Sequence, residues 1–272
     1  MSARLAIVAA LLLAAAESAG TLAQPRQPSD ALLGRWDLVV QGGTRPAPSW
    51  LEVERSGSAT LVGQFVGSGG SARPIAKIEF TDGAFRFAIP PQWDSNPRDI
   101  TFEGRLEGDR LTGSMTMGDG QKLTWSGTRA PSLRRSARPE WGEPVQLFDG
   151  RSLEGWQPIG RRDSRWSAAG GILKNADSGA NLVTVRTFDD FKLHLEFRVP
   201  KGANSGVYLR GRYELQIDDA AGLDPSSHHL GGLYGFIAPS ENAAKPAGEW
   251  QTMDVTLVGR MLTFDLNGTN VI

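Results

Sequence analysis

Between Asp190 and Asp218, three extended segments sort their side chains by parity, and one face gathers residue types that move protons and grip hydroxyl groups. Phe191, Leu193, Leu195 and Phe197 alternate with Lys192, His194, Glu196 and Arg198. Val207 and Leu209 alternate with Tyr208 and Arg210, and Tyr213, Leu215 and Ile217 alternate with Glu214, Gln216 and Asp218. Successive strand side chains point to opposite faces, so one face is apolar and the other collects His, Glu, Arg, Tyr, Gln and Asp. A solvent face usually favours Thr, Ser and Lys. This denser mixture of ionisable groups reads as a polyol-binding surface.

Several chemistries are open to such a face. Glu214 and Asp218 share it, but four residues along a strand separate them by about 13 Å. A retaining pair of carboxyl groups needs roughly 5–5.5 Å and an inverting pair roughly 6.5–9.5 Å. Gln216, midway, is no substitute acid, so ordinary two-carboxylate glycoside cleavage is poorly served. His228-His229 follows Asp224-Pro225 in a loop, and adjacent histidines diverge in an extended chain, which is not a zinc spacing. The plain reading is an exposed polar loop; a loop histidine folding over to join Glu214 or Asp218 stays open, as does a divalent metal. Asn204 and Ser205, between Gly202 and Gly206, offer either substrate contacts at a sheet rim or a turn held by the Asn side chain. Tyr234 and Trp250 could stack on a sugar ring or fill the core, the core being the stronger expectation for Trp250.

The rest of the chain must position these groups. Its 272 residues carry 29 Lys+Arg against 30 Asp+Glu, a balance that argues against nucleic acid or an anionic membrane as the main partner. Residues 1–23 read as a cleaved export signal: Arg4, an apolar run over residues 5–16, and a Thr21-Leu22-Ala23 cleavage site. Twelve apolar residues are too few to span a bilayer, so no transmembrane segment is expected in the mature chain. With no Cys, the fold relies on its core, which fits a bacterial periplasmic or secreted protein.

Residues 31–129 read as a meander of short antiparallel strands closing as a small barrel. Trp36, Leu38 and Val40 alternate, as do Leu61, Gly63 and Phe65, while Ile75, Lys77 and Glu79 oppose Ala76, Ile78 and Phe80. Asp82-Gly83, Gly108-Asp109 and Asp119-Gly120 are hairpin turn signals, and runs at 85–89, 100–106, 110–115 and 123–128 keep the spacing. Gly34-Arg-Trp36 is similar to the opening of lipocalin-like barrels, although a core tryptophan after a tight turn is the plainer account. Trp93 and Asp94 could line a ligand mouth. Residues 130–142, basic and proline-flanked, read as an exposed linker. Residues 143–272 supply many short strands, beginning at 145–148, with no helix-period segment between them, which points to an antiparallel jelly-roll sandwich. The predicted class is all-β: a small antiparallel barrel, then a sandwich.

The second unit resembles a known family. Gln146-Leu-Phe-Asp-Gly150, Leu153-Glu-Gly-Trp156, Phe188-Asp-Asp-Phe191, Asn204-Ser-Gly-Val-Tyr-Leu-Arg210, Tyr213-Glu-Leu-Gln-Ile-Asp218, Gly248-Glu-Trp250 and Leu266-Asn-Gly268 follow, in order, the pattern of the 3-keto-disaccharide hydrolase domain. The resemblance implies a concanavalin-like sandwich and action on glycosides oxidised to a ketone at C3. Members usually continue past the Leu-Asn-Gly turn with closing strands, so the chain is expected to be a fragment or to carry an uncovered edge.

A C3 ketone acidifies the C2 hydrogen, so elimination of the C1 group followed by hydration gives net hydrolysis. Such a site needs a base, a donor for the leaving oxygen, and positive charge or a metal near the enolate. Glu196 or His194 is expected as base, Arg210 at the enolate oxygen, and Glu214 or Asp218 as acid or metal ligand. Asn204, Ser205, Tyr208, Gln216, Tyr234 and Trp250 are the expected substrate contacts. Glu196 with Arg198 or Arg210 could instead be a cross-strand ion pair. A noncatalytic carbohydrate-binding module on the same sandwich is the alternative.

Overall fold

The computed structural model describes residues 27–43, 45–67, 70–92, 97–160 and 162–272. The expected export segment over residues 1–23, and Trp93 and Asp94, lie outside the described residues.

Eight antiparallel strands close a barrel: β1 (Gly34–Gln41), β2 (Ala47–Ser56), β3 (Thr60–Val66), β4 (Ala72–Thr81), β5 (Ala84–Ile89), β6 (Ile100–Glu107), β7 (Arg110–Thr116) and β8 (Lys122–Arg129), with β8 returning to β1. The interior is packed with side chains, among them Trp36, Leu51, Ile75, Phe102 and Leu111 at 2% exposure or less. Phe87 and Phe102 stack there at 4.5 Å between centroids. Gly104 and Gly113, paired across β6 and β7, leave the room that the rings of Phe85 and Trp125 occupy. Trp36 is a core residue; its indole donates to the Leu32 carbonyl at 2.9 Å, and the Arg129 guanidinium lies over its ring.

Two details of the barrel differ from the pattern. β2 lacks a clean signal, since Pro48 interrupts it, yet its residues 47–53 pair with β1 and its residues 50–56 with β3. On β4 a register shift matches Gly63 to Ile75 but Leu61 to Ile78, so an extra residue turns both isoleucines inward instead of to opposite faces.

Ten strands follow the linker. β9 (Trp156–Ile159) pairs with β12 (Asn181–Thr184), and β10 (Trp166–Ala169) with β11 (Ile172–Asn175). β13 (Phe191–Phe197), β16 (Gln251–Val258), β17 (Met261–Leu266) and β18 (Thr269–Asn270) form a four-stranded sheet in the order β13-β16-β17-β18. β14 (Asn204–Leu209) and β15 (Tyr213–Asp218) make a separate hairpin. Residues 145–148 form no strand; Asp149 instead closes a turn by accepting from the Arg151 and Ser152 amides at 2.8 Å each. These bonds favour the ionised form and hold the Asp149 carboxyl below its usual range.

The sheet and the hairpin are two layers over one core. Leu193, Leu195, Phe197, Met253, Val255, Leu257 and Phe264 from the sheet meet Val207, Leu209, Leu215 and Ile217 from the hairpin. Parity is therefore right within each strand, and it has a consequence for the site. The polar face of the hairpin and the polar face of β13 lie on opposite outer sides of this core. Among the described residues no helix is long and apolar enough to cross a membrane.

Candidate functional site

The hairpin face is widened by residues 232–234, which meet β15 through an isolated bridge within a turn-rich loop. The Gln216 amide donates to the Gly232 carbonyl at 3.0 Å, the Tyr234 amide donates to the Glu214 carbonyl at 2.8 Å, and Leu215 bridges antiparallel to Leu233. Since Tyr208 pairs with Glu214 on the other side, Tyr208, Glu214 and Tyr234 stand in one cross-strand row. One carboxyl group is thus flanked by two phenols. The Tyr208 hydroxyl donates to Glu214 Oε2 at 3.0 Å. The carboxylate leans over Gly206, where any Cβ would overlap it, which gives that glycine a concrete reason.

Asp218 anchors the far end of the same face. Its carboxylate accepts from the Leu230 amide at 2.7 Å and pairs with His229 Nδ1 at 2.8 Å, so the loop histidine does fold over to join Asp218. With Nδ1 engaged by Asp218, Nε2 is the remaining ring nitrogen. His228 turns aside, its ring edge-on to Tyr234 at 4.8 Å between centroids. The loop is held by its own backbone, with His229 amide to Ser226 carbonyl at 3.1 Å and Gly235 amide to Ser227 carbonyl at 3.2 Å.

Partial burial sets the electrostatics. Desolvation raises the Glu214 carboxyl above its ordinary 4.5, and the Tyr208 hydrogen bond only partly opposes this. Burial, reinforced by the Glu214 charge, raises the Tyr208 phenol, and the same two causes raise Tyr234. The phenols therefore remain donors across neutral pH, while Glu214 is a stronger base than a solvated carboxylate.

The other expected site residues lie elsewhere. His194 and Glu196 are on β13, which pairs with β16 and not with β14, so they occupy the opposite outer face. There His194 Nδ1 pairs with Asp254 at 2.7 Å, and Glu196 stands across from Thr252. Glu196 and His194 therefore cannot act on a ligand held by Glu214. Arg210 follows the end of β14 with a φ of 52°, and its guanidinium donates to the Asp189 carbonyl at 2.8 Å, the Gly259 carbonyl at 2.7 Å and Asp190 Oδ1 at 3.1 Å. It is a clamp between the two layers and not an enolate ligand. Arg135 of the linker closes the same knot, donating to Asp190 at 2.6 Å and Asp189 at 2.7 Å. Arg135, the Gly259 amide and Arg210 together hold the Asp190 carboxyl down at about 2.

Of the expected contacts, Asn204 shares the hairpin's polar face, in register with Asp218, whereas Ser205 pairs with Ile217 and has the opposite parity. Gln216 is 2% exposed, beneath the face and not presented on it. Trp250 is not a core residue: it is 45% exposed, with Arg198 over its ring, because it precedes β16 at the sheet's open end. Among the described residues, no three His, Cys, Asp or Glu side chains converge as a metal site. Tyr208 and Tyr234, read from the sequence as contacts, are the immediate neighbours of the central carboxylate; the bridging of residues 232–234 to β15 has no sequence signature.

This assembly lies within a recognisable domain. Residues 143–272 match the family model described as a 3-keto-alpha-glucoside-1,2-lyase-like domain, in agreement with the resemblance read from the motifs of the second unit. A relative from Bacteroides thetaiotaomicron, named 3-keto-disaccharide hydrolase, is 26% identical over 166 residues, covering 47% of this chain and 57% of its own length. The chain thus spans less than two thirds of that relative. Two crystal structures from Parabacteroides distasonis, provisionally named a glycosyl hydrolase, align at 23% and 20% identity with TM-scores of 0.41 and 0.40. They cover 50% and 47% of this chain, and 75% and 70% of their own.

Proposed function

We propose that the protein is an exported enzyme that cleaves glycosides carrying a ketone at C3, by elimination and then hydration. The family match supports the substrate class. The observation that carries the reading is the desolvated Glu214 carboxylate between two tyrosine phenols, of which Tyr208 donates to it, with the His229–Asp218 pair on the same face.

Glu214 takes the C2 proton, and the electron pair moves into an enolate whose oxygen at C3 accepts a hydrogen bond from a tyrosine hydroxyl. The C3 carbonyl re-forms, C1=C2 forms and the C1–O bond breaks, with protonated His229 giving its Nε2 proton to the departing oxygen. Water then adds at C1, losing a proton to His229, and Glu214, its acid proton by then exchanged with solvent, protonates C2. Every group ends as it began. Preorganised donors lower the enolate barrier because they are already aimed where charge develops. Asp218 holds the imidazole ring and compensates its charge.

The test is release of a chromogenic aglycone from a 3-keto glucoside by the protein and its variants. Wild type should release it, and Glu214→Gln should not. Retained rates in Glu214→Gln would reject the assignment; binding without any product would favour the noncatalytic carbohydrate-binding module.

A further inference from the structure

Trp50 of β2, Val66 of β3 and Ala72 of β4 form one cross-strand row on the outside of the barrel, where side chains ordinarily meet water. Here they are 5%, 0% and 4% exposed, because Phe236 of the second unit packs on them. The Phe236 ring lies 6.4 Å from Trp50 and 5.6 Å from Tyr213 between centroids. The junction extends to the site. Gly70 has a φ of +85°, and a Cβ there would come within 2.9 Å of both the Tyr208 ring and the Arg212 carbonyl oxygen. A Cβ on Gly235, next to Tyr234, would lie 3.0 Å from the Ala72 amide nitrogen. Each phenol beside Glu214 is therefore backed by the barrel: Tyr208 at Gly70, and Tyr234 through Gly235 at Ala72.

We infer that the barrel is a positioning element for the Glu214 site. Its interior is filled by its own rings, and its outward row at Trp50 fixes the segment carrying Tyr234 while Gly70 limits where the Tyr208 ring can lie. This holds both phenols against Glu214 and keeps water from the carboxylate, which is the cause of its raised affinity for protons. The catalytic part of this inference rests on the proposed function; the geometric part does not.

The chain has three tyrosines, Tyr208, Tyr213 and Tyr234, and all three lie at this junction or on the site. Ring-carbon-labelled tyrosine in the full chain thus reports on it by NMR with little overlap. Trp50→Ala should shift all three signals and bring the Glu214 midpoint, followed through Tyr208 and Tyr234, back toward 4.5. It should also slow kcat on a 3-keto glucoside about tenfold or more, with a smaller change in KM, because misplaced groups lose alignment. Phe236→Ala should behave alike, and Trp50→Phe should restore the spectrum and the rate. Leu111→Ala, in the barrel core, should lower stability yet leave the tyrosine signals in place. Unchanged Tyr208 and Tyr234 signals and midpoint in both Trp50→Ala and Phe236→Ala would overturn the inference. If wild type turns over no keto glycoside, the spectra still decide the barrel's role and only the functional reading falls.

Discussion

The two outer sides of the sandwich each carry a histidine bonded through Nδ1 to an aspartate, at 2.8 Å for His229–Asp218 and 2.7 Å for His194–Asp254. Their surroundings differ. His194 and Asp254 are 60% and 53% exposed, on an open sheet, whereas His229 and Asp218 are 36% and 17% exposed and Asp218 also accepts a backbone amide. An exposed pair is worth about 0.2–1 kcal/mol and is screened by salt. What separates the regions is not the pair but its company. Among the described residues, the half-buried carboxyl flanked by two phenols is on the His229 side, and that side is backed by the barrel.

Variants on the two sides should therefore diverge. The largest effect expected is at the carboxylates: Glu214→Gln should cut turnover of a 3-keto glucoside about a thousandfold, the scale of a lost general base, and Glu196→Gln should leave it within twofold. Next, Arg210→Ala should destabilise the fold by about 2–3 kcal/mol, since hydrogen bonds from a charged donor are broken, as read by urea unfolding; a fall in turnover without loss of stability would return Arg210 to the site. His229→Ala should slow the reaction about a hundredfold, whereas His194→Ala should change neither rate nor melting temperature beyond the small value of an exposed pair. Smallest are the pH effects. Glu214 acts as base when ionised, so kcat/KM should rise with pH through a midpoint above 4.5. Because its proton affinity is raised by folding, Glu214 stabilises the fold least when ionised, and Glu214→Gln should melt slightly higher than wild type at pH 7. Asp190 has the opposite sign: its contribution is present above about pH 4 and disappears as pH falls toward 2, an acid transition that Asp190→Asn should remove.

Local patterning made much of this legible and distant pairing did not. The alternation in β13 and β15 places each side chain on its correct side, and the Tyr208–Glu214 pair follows from a short hairpin. Whether β13 lies beside β14 is a different matter. Its partner is β16, more than fifty residues on, so His194 and Glu196 share parity with Glu214 without sharing a surface. Arg210 escaped the pattern for a local reason: a residue with positive φ beyond the strand end no longer alternates. Trp250 misled through composition, since a large aromatic beside a strand suggests a core, while its position before β16 leaves it under Arg198. In the barrel, Trp50 sits on the outward face of a strand that Pro48 obscures, so nothing local marked it as a docking residue.

The most direct test of the Glu214 site is cleavage of a 3-keto glucoside in deuterated water, with NMR of the released sugar at C2. The account requires deuterium at C2 in the wild-type and Glu196→Gln products, above the enzyme-free rate, and neither cleavage nor exchange with Glu214→Gln. Cleavage that leaves protium at C2, or exchange that survives in Glu214→Gln and vanishes in Glu196→Gln, would contradict it.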